Sequence, residues 1–232
     1  MSQPKTIISA SYSRLLDFES CRLKAFLKHV ERVPDPRPAT AADRGTDIHN
    51  RMELYTRGLG DMPAEVSKHF KDEALSLRNH FTKGVVSLEG EWAFDHDWQP
   101  TEWKGGWFRL KADAVVHMNK KHAVVIDFKS GKRFGNEIKH GEQLQLYALS
   151  VFIREPTVER ITSELWYFDQ NELATYDVTR AQGIRCLKGF DNRAQKMTTA
   201  TTFPANPNGF SCKWCPYKPV ELGGTGHCKV GV

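Results

Sequence analysis

The sequence contains no apolar run approaching the roughly 18–20 residues that a membrane-spanning helix requires, which excludes an integral membrane helix. Its opening stretch, MSQPKTIISASYSRLL, lacks the unbroken apolar segment and small-residue cleavage site of a secretory leader, so a cytoplasmic protein is expected. Internal repeats and low-complexity tracts are absent too, which excludes solenoids and disordered tails. Nor is there a large excess of one charge. Lys and Arg total 33 against 28 Asp and Glu, a net +5 that permits a polyanionic partner without demanding one. What is present reads as globular. The 232 residues are 40% hydrophobic, with six Trp and thirteen Phe, enough for one core-bearing domain with or without a small appendage. Five cysteines remain: Cys21, Cys212, Cys215 and Cys228 near the two ends, and Cys186 apart. In a reducing compartment a Cys-x-x-Cys pair points to metal or redox chemistry before disulfides.

Periodicity gives an order of helices, strands, one helix, two strands and a final helix, hence an α/β or α+β class. Ser11 or Ser13 caps a first helix carrying Leu15, Leu16, Phe18 and Cys21 and reaching towards Val30, before Pro34, Pro36 and Pro38 break it. A second helix fits residues 43–55, and a third carries Val66, Phe70, Leu77 and Phe81. Strands follow at 85–94, 107–117 and 123–129, the last (AVVIDFK) apolar and β-branched as a strand buried on both faces should be. A helix at 142–153, a hairpin of strands at 161–168 and 172–178, and a helix at 180–196 precede a Gly- and Pro-rich tail. Cys186 is expected to be a buried helix residue.

Charged residues in apolar strands are the first chemical signal. Asp127 and Lys129 alternate onto one face at the end of the buried strand, where they make either a strand-end salt bridge or a phosphodiesterase pair. In the second reading the carboxylate binds a divalent ion, while the lysine positions or deprotonates a water and offsets developing charge. Asp113, within KADAVV, marks a turn or bulge, or else a second carboxylate brought beside Asp127 by the HMNKKH turn. Two converging carboxylates suit Mg²⁺ or Mn²⁺. His49, at the edge of a buried helix face, is either a hydrogen-bonded structural residue or a nitrogen ligand to the same ion. Gln143 and Tyr147, at i and i+4, are interface polar groups, or a partner for Lys129 and a phosphate donor. Trp98, Trp103 and Trp107 among Lys104, Arg109 and Lys111 form a hydrophobic hairpin or a base-stacking surface. The basic run Lys129-Ser-Gly-Lys132-Arg133 extends the positive character.

Taken together, RGTDIH ending at His49, KAD ending at Asp113, IDFK ending at Lys129 and QLQLY ending at Tyr147 resemble the RecB-like nucleases of the PD-(D/E)XK superfamily. The resemblance implies a restriction-endonuclease-like core, a central mixed sheet flanked by helices. It implies His49, Asp113, Asp127 and the Phe128 main-chain carbonyl as metal ligands, and Lys129 as the catalytic lysine. Gln143 and Tyr147 fit the family's Gln-x-x-x-Tyr motif, associated with substrate contact. One nuclease domain over 1–232 follows, with a helical part at 1–83, a core at 84–200 and a cysteine-rich tail at 201–232.

Cys21 followed by Cys212, Cys215 and Cys228 resembles the iron–sulfur branch, which includes AddB-type helicase–nucleases and CRISPR-associated RecB-like exonucleases. A [4Fe–4S] cluster joining the first helix to the tail is implied. Zinc suits four thiolates equally, and His227 keeps a Cys₃His zinc site open. The expected function is Mg²⁺- or Mn²⁺-dependent hydrolysis of DNA, as an exonuclease on single strands or free ends. No helicase motif is present, so the chain acts alone or as one subunit of a DNA-processing complex. Two alternatives are a non-catalytic DNA-binding or scaffolding subunit, and a ferredoxin-like or zinc-binding interaction module.

Overall fold

Strands β1 (Val86–Phe94), β2 (Pro100–Thr101), β3 (Phe108–Asn119), β4 (His122–Lys129), β5 (Arg160–Tyr167) and β6 (Glu172–Thr179) form one mixed sheet. The structure is a computed structural model describing residues 5–38, 40–67, 69–131 and 133–232. The strand order is β2-β1-β3-β4-β5-β6. Antiparallel pairing links β1 to β3, β3 to β4 and β5 to β6, while β4 and β5 are parallel. A parallel pair needs a long crossover, and helix α6 (Glu137–Arg154) supplies it.

The β-branched strand β4 is covered on both faces, as its composition demands. Ala123 and Val125 join a core built with α1 (Tyr12–Ser20), α6 and α8 (Leu187–Thr198). Ile126 and Phe128 join a second core with α3 (Thr40–Thr56) and α5 (Lys71–Thr82). A small third cluster packs Leu27 of α2 (Arg22–His29) against Tyr217 and Cys228 of the tail.

Several elements depart from the sequence expectation. The first helix divides into α1 and α2 at Cys21, whose backbone is extended (φ −161°, ψ 117°). That break turns the Cys21 sulphur towards the tail, where the Asn206 N–H donates to it at 3.4 Å. The third helix divides into α4 (Ala64–Ser67) and α5. Phe70 caps α5 and stacks on Trp166 with ring centroids 5.6 Å apart. Helix α6 starts before Gly141 and runs through it, because burial of Leu144 and Leu146 to Phe152 outweighs a glycine penalty of about 1 kcal/mol. The last long helix breaks at Cys186 into α7 (Arg180–Arg185) and α8. Cys186 is half-buried at that junction, not enclosed within a helix as expected.

The tryptophan-rich segment resolves in favour of packing. Trp98 and Trp107 are buried, and their ring N–H groups donate to Asp191 and Thr198 of α8, each at 3.1 Å. Trp103 is exposed beneath the Arg109 guanidinium. Trp98 and Trp107 therefore present no face for stacking bases. Lys132 lies outside the described residues, and Arg133 is paired with Glu172.

Candidate active site

Helix α3 reaches the end of β4 because Gly45 lies one turn before His49. A Cβ at Gly45 would stand 3.1 Å from the Ser130 hydroxyl, so only glycine lets the helix approach this closely without displacing it. Arg44 fastens the same turn, donating to the Ser130 carbonyl at 3.1 Å and pairing with Asp169 at 2.6 Å. His49 is thereby inserted between two acceptors. Its Nδ1 lies 3.2 Å from Asp113 Oδ1 and its Nε2 lies 2.9 Å from the Phe128 carbonyl. A neutral imidazole carries one N–H, so donating to both acceptors requires the imidazolium. The electrostatics agree. Burial alone would lower the His49 pKa, but the hydrogen bond to Asp113 and the charges of Asp113 and Asp127 raise it overall.

Strand register places three acids in one row. Leu88 pairs with Ala114 and Gly90 with Ala112, which sets Glu89 opposite Asp113. Ala114 pairs with Ile126, which sets Asp113 opposite Asp127. Residues two apart on a strand share a face, yet Ala112 packs in the α6 core and Ala114 in the α3 core. Leu88 and Trp92 are divided between the same two cores. Both strands therefore turn over at this point, and Glu89 takes a left-handed backbone (φ 50°) that non-glycine residues rarely hold without cause. Asp113 is thus a ladder residue at a slip in side-chain alternation, and its Oδ2 accepts the Phe128 N–H at 2.7 Å.

His49, Glu89 and Asp113 offer donor atoms that lie within 4.8 Å of one another. Glu89 escaped the sequence reading, because nothing in VSLEGEWAF marks it until the β1–β3 register is known. Lys111 holds its Oε2 at 2.7 Å.

Asp127 turns to Lys129, whose ammonium lies 2.5 Å from Oδ2. Lys129 is the cation that partners this buried oxygen. Burial pushes the Asp127 carboxyl up to about 6, with Lys129 opposing and Asp113 reinforcing the rise. Lys129 also donates to Gln143 Oε1 at 3.0 Å, and Gln143 Nε2 donates to the Tyr147 hydroxyl at 2.6 Å. Burial, then the charges of Asp127 and Asp113, hold the Tyr147 phenol well above its ordinary pKa, so it remains a neutral donor. The chain Asp127–Lys129–Gln143–Tyr147 fixes the ammonium at the floor of a cleft of about 340 Å³, walled by α1, β3 and α6. Arg109, Lys111 and Lys139 line the same cleft.

Cys21, Cys212, Cys215 and Cys228 line one small apolar pocket with Leu23, Leu27 and Tyr217. The Asn208 N–H donates to Cys212 at 3.4 Å, matching the contact from Asn206 to Cys21. Burial, with the neighbouring Cys21 and Cys212, raises the Cys215 thiol. His227 is exposed, with Nδ1 2.8 Å from Thr225, and is not among the residues that line this pocket.

The site is thus an imidazole, carboxylates and a lysine gathered near the end of the central strand β4 of a mixed sheet. The chain belongs to the PD-(D/E)XK nuclease superfamily, whose family model matches residues 9–220. A search of curated proteins finds no match. Among solved structures, a putative exonuclease from Eubacterium rectale is similar at 12% identity and TM-score 0.51, covering 86% of this chain and 84% of that one. The structure of SSO0001 covers 100% of this chain and 91% of its own at 15% identity and TM-score 0.43. An alkaline exonuclease from Laribacter hongkongensis covers 82% and 86%, at 14% identity and TM-score 0.33.

Proposed function

We propose that this nuclease is a Mg²⁺- or Mn²⁺-dependent exonuclease that hydrolyses DNA from single-stranded or free ends. The observation that carries the reading is the convergence of His49, Glu89 and Asp113 on one point, with the Asp127–Lys129 pair on the neighbouring strand. The donor set fits a hard divalent ion that tolerates one imidazole, and His49, Glu89 and Asp113 already place their donor atoms within 4.8 Å of one another. His49, Asp113, Asp127 and the Phe128 carbonyl would hold the ion, joined by Glu89. Bound there, it supplies Lewis acidity to the scissile phosphate.

The protein's own groups do the rest. Lys129 orients a water and its positive charge offsets the charge that develops on the phosphorane-like transition state. Asp127 and Gln143 hold its ammonium, so that little reorganisation is needed at the moment of reaction. Tyr147, neutral and fixed by Gln143, is a donor to a phosphate oxygen. A scaffolding role would leave these buried charges without a purpose.

The four-cysteine pocket fits a [4Fe–4S] cluster or zinc, with amide donors placed on two of the sulphurs. In this reading residues 1–232 are one nuclease unit whose tail is stapled to α1 and α2, working alone or as a subunit of a DNA-processing complex. Digestion of linear and circular single strands of the same sequence tests the mode of attack. Degradation of the linear strand alone, with Mn²⁺ and not with EDTA, is expected. Equal cutting of the circle would make the protein an endonuclease.

A further inference from the structure

The catalytic cleft continues beyond Lys129. Ser13, Leu16 and Lys139 are shared between it and a second hollow of about 590 Å³, which follows α1 and α2 to the cysteine-bearing tail. Lys24 and Lys28 line this hollow, and Asn208 and Phe210 enter it from the tail. Asp17 binds Lys24 at 2.7 Å, Lys28 at 2.8 Å and His29 at 2.9 Å. One carboxylate cannot neutralise two ammonium groups, so the wall is positive and both lysines are held in position. The other acid lining it, Glu19, is already occupied by a two-pronged pair with Arg193 at 2.7 and 2.9 Å.

Phe210 gives the hollow its second character. The ring is 90% exposed, in the short helix α9 (Gly209–Cys212) that carries Cys212. Its backbone is nevertheless fixed, since Asn208 Oδ1 accepts from the Ser211 N–H at 2.8 Å and the Ser211 hydroxyl at 2.7 Å. An exposed aromatic ring on a capped turn, beside cations held in place, has the chemistry of a surface that stacks bases and holds phosphates.

We propose that this hollow is a groove for single-stranded nucleic acid, with Lys24, Lys28 and Lys139 on the phosphates and Phe210 against one base. The identity of the ligand rests on the nuclease reading, and the groove deepens that reading by making single-strandedness the preferred state. A base face is open to a phenyl ring only when the base has left its stack, so Phe210 contributes to binding of single strands and not of duplex.

Fluorescence anisotropy with a labelled oligothymidine and no divalent metal measures binding without turnover, and Mn²⁺ digestion of the same strand gives KM and kcat. Phe210→Ala is expected to weaken single-strand binding and raise KM about tenfold, the scale of one lost stacking contact, with kcat and duplex affinity unchanged. Phe210→Trp is expected to restore binding. Lys139→Ala is expected to reduce the salt dependence of binding by about 0.7 in log–log slope, one phosphate contact. Wild-type binding and KM in both alanine variants, with unchanged circular dichroism, would overturn the groove while leaving the nuclease intact. Strand binding by the wild type without cleavage, weakened in both variants, would keep the groove and remove the nuclease reading. A wild type that neither binds nor cleaves would remove both.

Discussion

Asp113→Asn is expected to lower cleavage by about a thousandfold or more, the scale of losing a group that holds charge at the reacting phosphate, while leaving the fold in place. Asparagine keeps an oxygen to accept the Phe128 N–H that Asp113 Oδ2 now receives at 2.7 Å. It loses the negative charge that both His49 and a divalent ion require.

The same variant carries a pH signature. The His49 pKa is raised and burial pushes the Asp127 carboxyl up to about 6, so both bind more protons in the metal-free fold than in the unfolded chain. The metal-free fold therefore loses stability as pH rises through these values. A metal competes with the same protons, so its affinity rises with pH. The increase in melting temperature produced by Mn²⁺ is expected to grow from about pH 5.5 to about pH 8 in the wild type, because ligands must be deprotonated to bind. In Asp113→Asn that increase should be small at every pH. An undiminished Mn²⁺ shift with full cleavage would remove Asp113 from the centre.

Cys21→Ser is the second large effect. Cys21 and Cys212 meet in one pocket although most of the chain separates them. A shared metal centre acts as a cross-link over that span, worth about 5 kcal/mol by the loop-closure relation for a disulfide. Its loss should lower the melting temperature by roughly 10–20 °C in a domain of this size. An iron–sulfur cluster predicts a brown protein with iron and inorganic sulfide, bleached in Cys21→Ser. A colourless protein with one zinc would keep the staple and refute iron. Cys186→Ser is the control, since Cys186 lies at the α7–α8 junction, away from the pocket. Wild-type stability and metal content in Cys21→Ser would refute the staple itself.

Much of this was legible in the residues because each signal was local. The apolar run AVVIDF announced a strand buried on both faces, and a short turn before it placed Asp113 beside Asp127. The i, i+4 spacing of Gln143 and Tyr147 gave a pair that the structure joins directly. What escaped depended on contacts distant in sequence. Glu89 reaches the centre only through the β1–β3 register and a left-handed backbone that no local pattern specifies. The break at Cys21 lies where the tail meets the helix, with the Asn206 N–H donating to the Cys21 sulphur, a contact distant in sequence. Trp98 and Trp107 mixed with basic residues looked equally suited to DNA and to packing, and α8 settles the matter by accepting both ring N–H groups.

In the proposed mechanism Lys129 acts on the transition state within a metal-dependent centre. Single-turnover cleavage of an end-labelled strand in Mn²⁺ by wild type and Lys129→Gln, with affinity measured on the same strand, tests it most directly. Glutamine retains an amide donor for Asp127 and removes the charge. The expected result is a wild-type rate that EDTA abolishes, and a loss of about 10²–10³-fold in the variant with affinity unchanged, as for a group acting only in the transition state. Equal rates in the two proteins, or a loss of affinity that tracks the loss of rate, would contradict it.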